Sequence, residues 1–250
     1  MIQPRRDHAP VPTSAAVIVA AGNSTRMGGK VRKPYLKLRG EPILVWTLRA
    51  LARVPGLKQL VIVTRPEDRR RAQQAARQAK LPKRIAVAYA DGGARRQDSV
   101  LHGLRAADGG AELVLIHDAA RPFPPAEPLR LALEAAAREG AAILAQPVRD
   151  TLKKEAAAKA QAHPVSTQTV PRAGLWQAQT PQVFRRRLIL DLSERLAKRA
   201  PKAEVTDDAA VCERFGQPVV LIESSSTNLK ITRPEDVAIA EAFLKLGLVR

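Results

Sequence analysis

The chain has 250 residues, 45% of them hydrophobic, a formal net charge of +18 at pH 7 and a single cysteine, Cys212. That length and apolar content suit one large α/β domain with a sizeable core, and one cysteine excludes an internal disulfide and any multi-cysteine metal site. The positive field attracts polyanions, but aromatic residues are only 3% of the chain and the basic residues are scattered, so specific nucleic-acid binding is not expected.

Residues 1–14 hold three prolines and two arginines without an apolar run and read as a loose tail. They lack the apolar region of a secretory signal, which predicts a cytoplasmic protein, and no stretch suits a membrane span. Residues 15–250 read as a single domain. Ala16 to Ala20 is a short, continuous apolar run, the pattern of a strand buried on both faces of a parallel sheet. Helical spacing follows over Pro42–Leu51, a strand over Leu60–Val63, a polar Arg- and Gln-rich helix over Pro66–Lys80, and a strand over Ile85–Tyr89. The glycine pair Gly92-Gly93 leads into a helix over Ser99–Ala107, then a strand over Leu113–Ile116, a helix over Ala126–Glu139 and a strand over Ala141–Ala145. Over roughly residues 147–172 this rhythm stops, and the segment reads as an arm leaving the sheet, a hairpin with an inserted tip. Helices over Arg186–Lys198 and Asp207–Phe215, a strand over Val219–Ile222 and a helix over Pro234–Leu246 complete the chain. The alternation predicts an α/β, Rossmann-like, doubly wound and mainly parallel sheet with helices on both faces.

The richest stretch for chemistry follows the first strand, where Gly22, Arg26, Gly28, Gly29, Lys30, Arg32 and Lys33 form a small-residue, basic loop. Such a loop at the carboxyl edge of a parallel sheet lets backbone N–H groups and fixed cations meet phosphate oxygens. It is not a P-loop, because Gly29-Lys30 is followed by Val31, nor a dinucleotide fingerprint, because Gly22-Asn23-Ser24 lacks the second glycine. What remains, A-A-G-x-x-x-R-M-G with Lys33 beyond it, resembles the signature of nucleotidyltransferases that use nucleoside triphosphates. Arg26 and Lys33 are the candidates for stabilising charge on a transferred phosphoryl group, whereas Lys30 and Arg32 read as solvent-facing. The Gly92-Gly93 turn, with Ser99, can read a base or ribose, although Asp98 or Ser99 as a helix cap explains it equally. Asp118, in His117-Asp118-Ala119-Ala120-Arg121-Pro122, stands at a strand end that commonly faces ligand and could hold a phosphate-bound divalent ion. The four histidines have no zinc-site spacing.

Together with Pro147 to Thr151, Thr169 with Arg172, Gln179-Thr180-Pro181-Gln182, Thr206-Asp207-Asp208-Ala209 and Asn228 to Asp236, these segments resemble the 2-C-methyl-D-erythritol 4-phosphate cytidylyltransferase family from Ala15 to Leu246. The resemblance implies CMP transfer from CTP to 2-C-methyl-D-erythritol 4-phosphate with release of pyrophosphate, Mg²⁺ as cofactor, and a homodimer joined through the arm. It implies catalytic roles for Arg26, Lys33, Arg172 and Lys230, and nucleotide contacts from Ala20, Ala21, Gly22, Gly93, Ser99 and Asp118, the last also the tentative metal contact. Arg121, Thr151, Thr180 and Thr206 would bind the acceptor, with Thr151 or Arg172 able to serve the neighbouring subunit's site. Thr206 reads equally as a helix cap. The chain departs from the family at Arg32-Lys33-Pro34, at Pro171 in place of an acidic residue, and in the Ala- and Lys-rich stretch from Lys153 to Ala162. Ribitol 5-phosphate cytidylyltransferase is the enzymatic rival, and a non-catalytic nucleotide- or RNA-binding protein on the same scaffold is the rival from another class. The chain ends soon after its last helix, so no second catalytic domain is expected.

Overall fold

The computed structural model describes residues 12–22, 31–155, 163 and 165–249. Its centre is a seven-stranded sheet. Four strands run parallel side by side: β1 (Ser14–Val19), β4 (Leu57–Thr64), β5 (Ala86–Asp91) and β6 (Leu113–Asp118). Beyond β6 the sheet continues through β10 (Trp176–Arg185), β7 (Ala141–Pro147) and β11 (Val220–Glu223), in the order β11-β7-β10-β6-β1-β4-β5. β10 runs antiparallel to both its neighbours, and β11 lies parallel to β7. Two short strands, β2 (Lys37–Leu38) and β3 (Glu41–Pro42), pair beside the first helix.

Alternation along β1 explains why its run is apolar throughout. Ala16 and Ile18 enter one core with Leu60, Ile62 and Leu115, while Ala15 and Val17 enter the other with Val61, Val63 and Ile116. On the first face pack α1 (Ile43–Leu51), α2 (Arg69–Gln78) and α4 (Ala126–Glu139). The second face is covered by α3 (Arg96–Ala106), α5 (Arg186–Arg199) and α6 (Ala209–Arg214). The final helix, α7 (Pro234–Lys245), joins a smaller cluster built on Leu38, Ile43, Phe123 and Ile231. The doubly wound expectation therefore holds.

Two elements differ from the sequence reading. The polar helix expected over Pro66–Lys80 begins as a 3₁₀ turn, Pro66–Asp68, and becomes α-helical only from Arg69. More consequential is β10, which the alternation argument misses. Its first seven residues include three glutamines, a threonine and Pro181, and a proline inside a run argues against a strand. The strand accommodates Pro181 at a register shift between Ala178 and Gln182, where the Thr180–Pro181 peptide is cis. Upstream, β8 (Leu152–Glu155) and β9 (Ser166–Val170) form an antiparallel hairpin whose described residues are largely exposed, as an arm should be.

α3 can approach the sheet closely because residue 103 has no side chain: a Cβ there would stand 2.4 Å from Val17 Cγ1 and 2.7 Å from Val63 Cγ2. Both contacts belong to β-branched, buried residues that cannot swing aside. Gly103→Ala should cost about 1–3 kcal/mol in chemical denaturation, whereas Gly109→Ala, with open space around its Cβ, should leave the midpoint nearly unchanged.

Candidate active site

The strand order reverses between β1 and β6, and ligands of open α/β sheets bind outside the strand ends at such a point. Val19, the last residue of β1, is paired with Asp118, the last of β6. The chain leaves β1 with the N–H of Ala20 bonded to the carbonyl of Val63 at 2.8 Å, and β5 ends with Gly92 N–H on the carbonyl of Thr64 at 2.9 Å. Gly92 is needed because a Cβ would stand 2.3 Å from that of Ala21. The resulting cavity, about 380 Å³, is lined by Ala20, Ala21, Gly22, Lys33, Gly93, Ser99, Asp118 and Lys230, all expected site residues. Lys33 begins a 3₁₀ turn, Lys33–Tyr35. That turn is held down by Tyr35, whose buried hydroxyl meets Thr64 Oγ1 at 3.1 Å, and by Arg32, ion-paired to Glu67 at 2.8 Å and to Asp68. Arg32 is thus an anchor rather than a solvated charge.

Asp118 is the electrostatic centre. Lys230 Nζ lies 2.7 Å from its carboxylate, Arg96 Nη2 3.6 Å and Arg121 Nε 3.9 Å. Burial alone would push this carboxyl up, but the charges of Arg96 and Lys230, with the hydrogen bond from Lys230, outweigh it and hold the group well below the usual carboxylate range. Arg96 also donates to buried Asp208 at 2.8 Å. Burial disfavours the charge of Arg96, yet the fields of Asp208 and Asp118 keep it firmly protonated.

Lys230 is placed by its neighbours in sequence. Buried Asn228 donates to Gln179 Oε1 and to the Thr180 carbonyl on β10, and Ile231 N–H donates to the Ala120 carbonyl at 2.9 Å. Arg121 Nη1 closes the same circuit on the Asn228 carbonyl at 2.6 Å. A second cavity of about 230 Å³ lies beyond, lined by Arg121, Thr180, Gln182, Thr206 and Asp207, and it shares Arg96, Asp118 and Lys230 with the first. Thr206 lines this space and is exposed; the capping bond of α6 comes instead from Asp207, whose Oδ1 accepts from Ala210 N–H at 3.0 Å.

Residues 14–246 match the family described as 2-C-methyl-D-erythritol 4-phosphate cytidylyltransferase. The chain belongs to this family. It is 43% identical over 230 residues to the enzyme of that name from Desulforamulus reducens, covering 92% of this chain and 95% of the relative. A bifunctional enzyme IspD/IspF from Desulfotalea psychrophila is 42% identical over 231 residues, and there the match spans 56% of the relative. Among solved structures, the 4-diphosphocytidyl-2C-methyl-D-erythritol synthase of Anaerococcus prevotii superposes with a TM-score of 0.78 at 30% identity, covering 94% of this chain and 96% of that one. The 2-C-methyl-D-erythritol 4-phosphate cytidylyltransferase of Thermus thermophilus superposes at 0.72 with 33% identity, covering 93% of this chain and 99% of the other.

For a member of this cytidylyltransferase family, two expected residues, Thr151 and Arg172, stand apart from the two cavities. Arg26 lies outside the described residues. Thr151 and Arg172 are exposed, line neither cavity, and Arg172 donates to the Arg149 carbonyl at the base of the arm. Gly93 N–H and the Ser99 hydroxyl are turned toward each other at 2.9 Å, and Ser99 Oγ also reaches the Arg95 carbonyl at 3.2 Å, so much of their polarity holds the turn. Asp118 does not fit a direct metal contact, because cations face its oxygens, and no group of three His, Cys, Asp or Glu side chains clusters among the described residues. Sequence reasoning missed Arg65 and assigned no role to Arg96 or Gln182, which belong to motifs that carry the resemblance. Arg65 donates to the Ala21 carbonyl at 3.0 Å and lines the first cavity, and its place directly after a buried strand was the available signal. Gln182 organises the start of α6 by accepting from Asp208 and Ala209 N–H and donating to Asp207.

Two predictions follow from the charge pattern. Arg96→Leu strands buried carboxylates and should cost on the order of 3–5 kcal/mol, whereas Lys230→Met, at a 41% exposed side chain, should cost about 1 kcal/mol or less; urea denaturation measures both. Burial lowers fully buried His117 from its usual 6.5 to about 4. The unfolded chain therefore takes up a proton at this residue as pH falls through 6.5, while the native chain resists until about 4. Unfolding free energy should drop across that window by roughly 3 kcal/mol from this residue. His117→Asn should remove that slope in a denaturation series, leaving the opposite contribution of Asp208, whose carboxyl burial raises.

Proposed function

We propose that this protein transfers CMP from CTP to 2-C-methyl-D-erythritol 4-phosphate in isoprenoid precursor synthesis. The observation that carries the reading is the pair of cavities meeting at Arg96, Asp118 and Lys230. One cavity has Gly22, the Gly92-Gly93 turn and Lys33, suited to a nucleoside triphosphate. The other has a carboxylate-braced cation and hydroxyl groups suited to a phosphorylated polyol. CTP and the acceptor phosphate repel each other, so cations shared by the two spaces can hold both within reach and lower the barrier by several kcal/mol.

In the proposed reaction an oxygen of the acceptor phosphate attacks the α-phosphorus of CTP in line. A new phosphorus–oxygen bond forms as the bond to the leaving pyrophosphate breaks, and no covalent enzyme intermediate is needed. Lys33, with Arg26, neutralises charge that spreads over the α-phosphate and pyrophosphate. Lys230 holds the acceptor phosphate near the α-phosphorus, and Asp118 holds Lys230. A divalent cation, Mg²⁺ in our reading, would bind with the triphosphate and would supply charge neutralisation there.

The arm supports a homodimer in which Thr151 and Arg172 reach the partner's acceptor space. Both residues are exposed near the base of the arm, and Leu175 and Trp176, where the chain returns into β10, are each 38% exposed. Among the described residues no helix is long and apolar enough to cross a membrane, and we place the enzyme in the cytoplasm.

Pyrophosphate release with CTP and Mg²⁺ should occur with 2-C-methyl-D-erythritol 4-phosphate and not with ribitol 5-phosphate; the reverse result would reassign the acceptor, and silence with both would favour a binding protein. Lys33→Ala should lower turnover by about 10²–10³-fold with little change in stability. Arg172→Ala should chiefly raise KM for the acceptor. Mixing Lys33→Ala and Arg172→Ala subunits should restore activity, since each mixed dimer would hold one intact site; failure to complement would place Arg172 in its own subunit's site or in none.

A further inference from the structure

His117 is fully buried at the end of β6, with both ring nitrogens in use. Nε2 lies 2.9 Å from the Arg121 carbonyl oxygen, and Nδ1 lies 3.1 Å from Thr180 Oγ1. A carbonyl oxygen can only accept, so Nε2 must carry the proton. A neutral imidazole has one N–H, which leaves Nδ1 bare and acceptor-only. The Thr180 hydroxyl must therefore donate its single proton to Nδ1. On its other side Thr180 Oγ1 accepts from Asp118 N–H at 3.1 Å. One lone pair is left, on a residue that lines the second cavity.

We infer that His117 is a positioning residue that fixes the Thr180 hydroxyl as a proton acceptor, so that Thr180 recognises a hydroxyl of the acceptor substrate and not its phosphate. A phosphate oxygen has no proton to offer and is repelled by the remaining lone pair; an alcohol O–H satisfies it. The same three links tie the Asp118–Arg121 turn to β10, since Arg121 N–H also closes on the Asp118 carbonyl at 3.0 Å. The polarity of the pocket wall is thus set two residues away from the ligand, by the tautomer of a ring that touches none of it. The ligand half of this inference rests on the acceptor reading given above, whereas the hydrogen-bond polarity rests on the geometry and on the neutrality of the fully buried ring.

Nitrogen-15 NMR of the wild-type imidazoles tests the polarity directly, with the His117 signals assigned by their loss in His117→Asn. A bare Nδ1 and a protonated Nε2 are expected; a protonated Nδ1 overturns the inference even if the enzyme is fully active. The ligand half is tested with 2-C-methyl-D-erythritol 4-phosphate and its singly deoxygenated analogues. Deleting the hydroxyl that meets Thr180 should raise KM about tenfold in the wild type, and Thr180→Val should abolish that penalty. His117→Asn, whose side-chain oxygen can stand near the place of Nδ1, should keep the discrimination, and His117→Gln, which can serve only the Arg121 carbonyl, should lose it. Penalties that persist in Thr180→Val would overturn the assignment. Should the wild type turn over no polyol phosphate at all, the acceptor reading falls and the ligand half with it, and the ring spectrum still decides the polarity.

Discussion

A carboxylate removed from water must be balanced by cations or give up its charge, and Asp118 imposes that constraint on the whole site. Its three cations come from separate stretches: Arg96 from the start of α3, Arg121 from the turn after β6, and Lys230 from the segment after β11. Each needs its own support, and the supports interlock. Arg96 is balanced by Asp208, Arg121 by the Asn228 carbonyl, and Lys230 by the bonds that Asn228 and Ile231 make to β10 and to Ala120. Positive groups can therefore be concentrated where the two cavities meet without destabilising repulsion, and they are pre-positioned before any anion enters, the condition for electrostatic stabilisation of a transition state.

β10 makes this convergence possible. Running antiparallel between β6 and β7, it carries Gln179, Thr180 and Gln182 to the second cavity, beside the point where it meets the first. Thr180 braces β6, Gln182 braces α6, and Gln179 braces the Lys230 segment. A purely apolar strand could fill the same gap in the sheet but could not join these three elements by hydrogen bonds. The polar composition that made β10 hard to recognise is the property its position requires, since buried polar groups are tolerated where they are partnered.

The alternating strands and helices were legible because apolar periodicity is a local signal: Val17, Ile62 and Leu115 announce burial within a few residues of themselves. Lys33 and Asp118 were legible too, as charged residues in a small-residue loop or at a strand end, and Lys230 through the family resemblance. Arg65 and Arg96 were not, because each sits in a run of other basic residues or beside a turn, and only pairing with Ala21 or Asp208 sets it apart. Ser99 and Gly93 were recognised as a unit, but their mutual hydrogen bond cannot be read from spacing.

What the sequence determined by itself is the class of fold, the loop chemistry suited to a nucleotide and the resemblance that the family match bears out. These depend on residue types over short spans, where sterics, periodicity and charge act between near neighbours. Tertiary structure alone decided that β6 lies beside β1, that β10 runs against its neighbours, and that His117 sets the direction of a hydroxyl it meets 63 positions away. Hydrogen-bond direction and the balance of buried charge are properties of several groups at once, and folding brings those groups within a few ångströms of one another from across the chain.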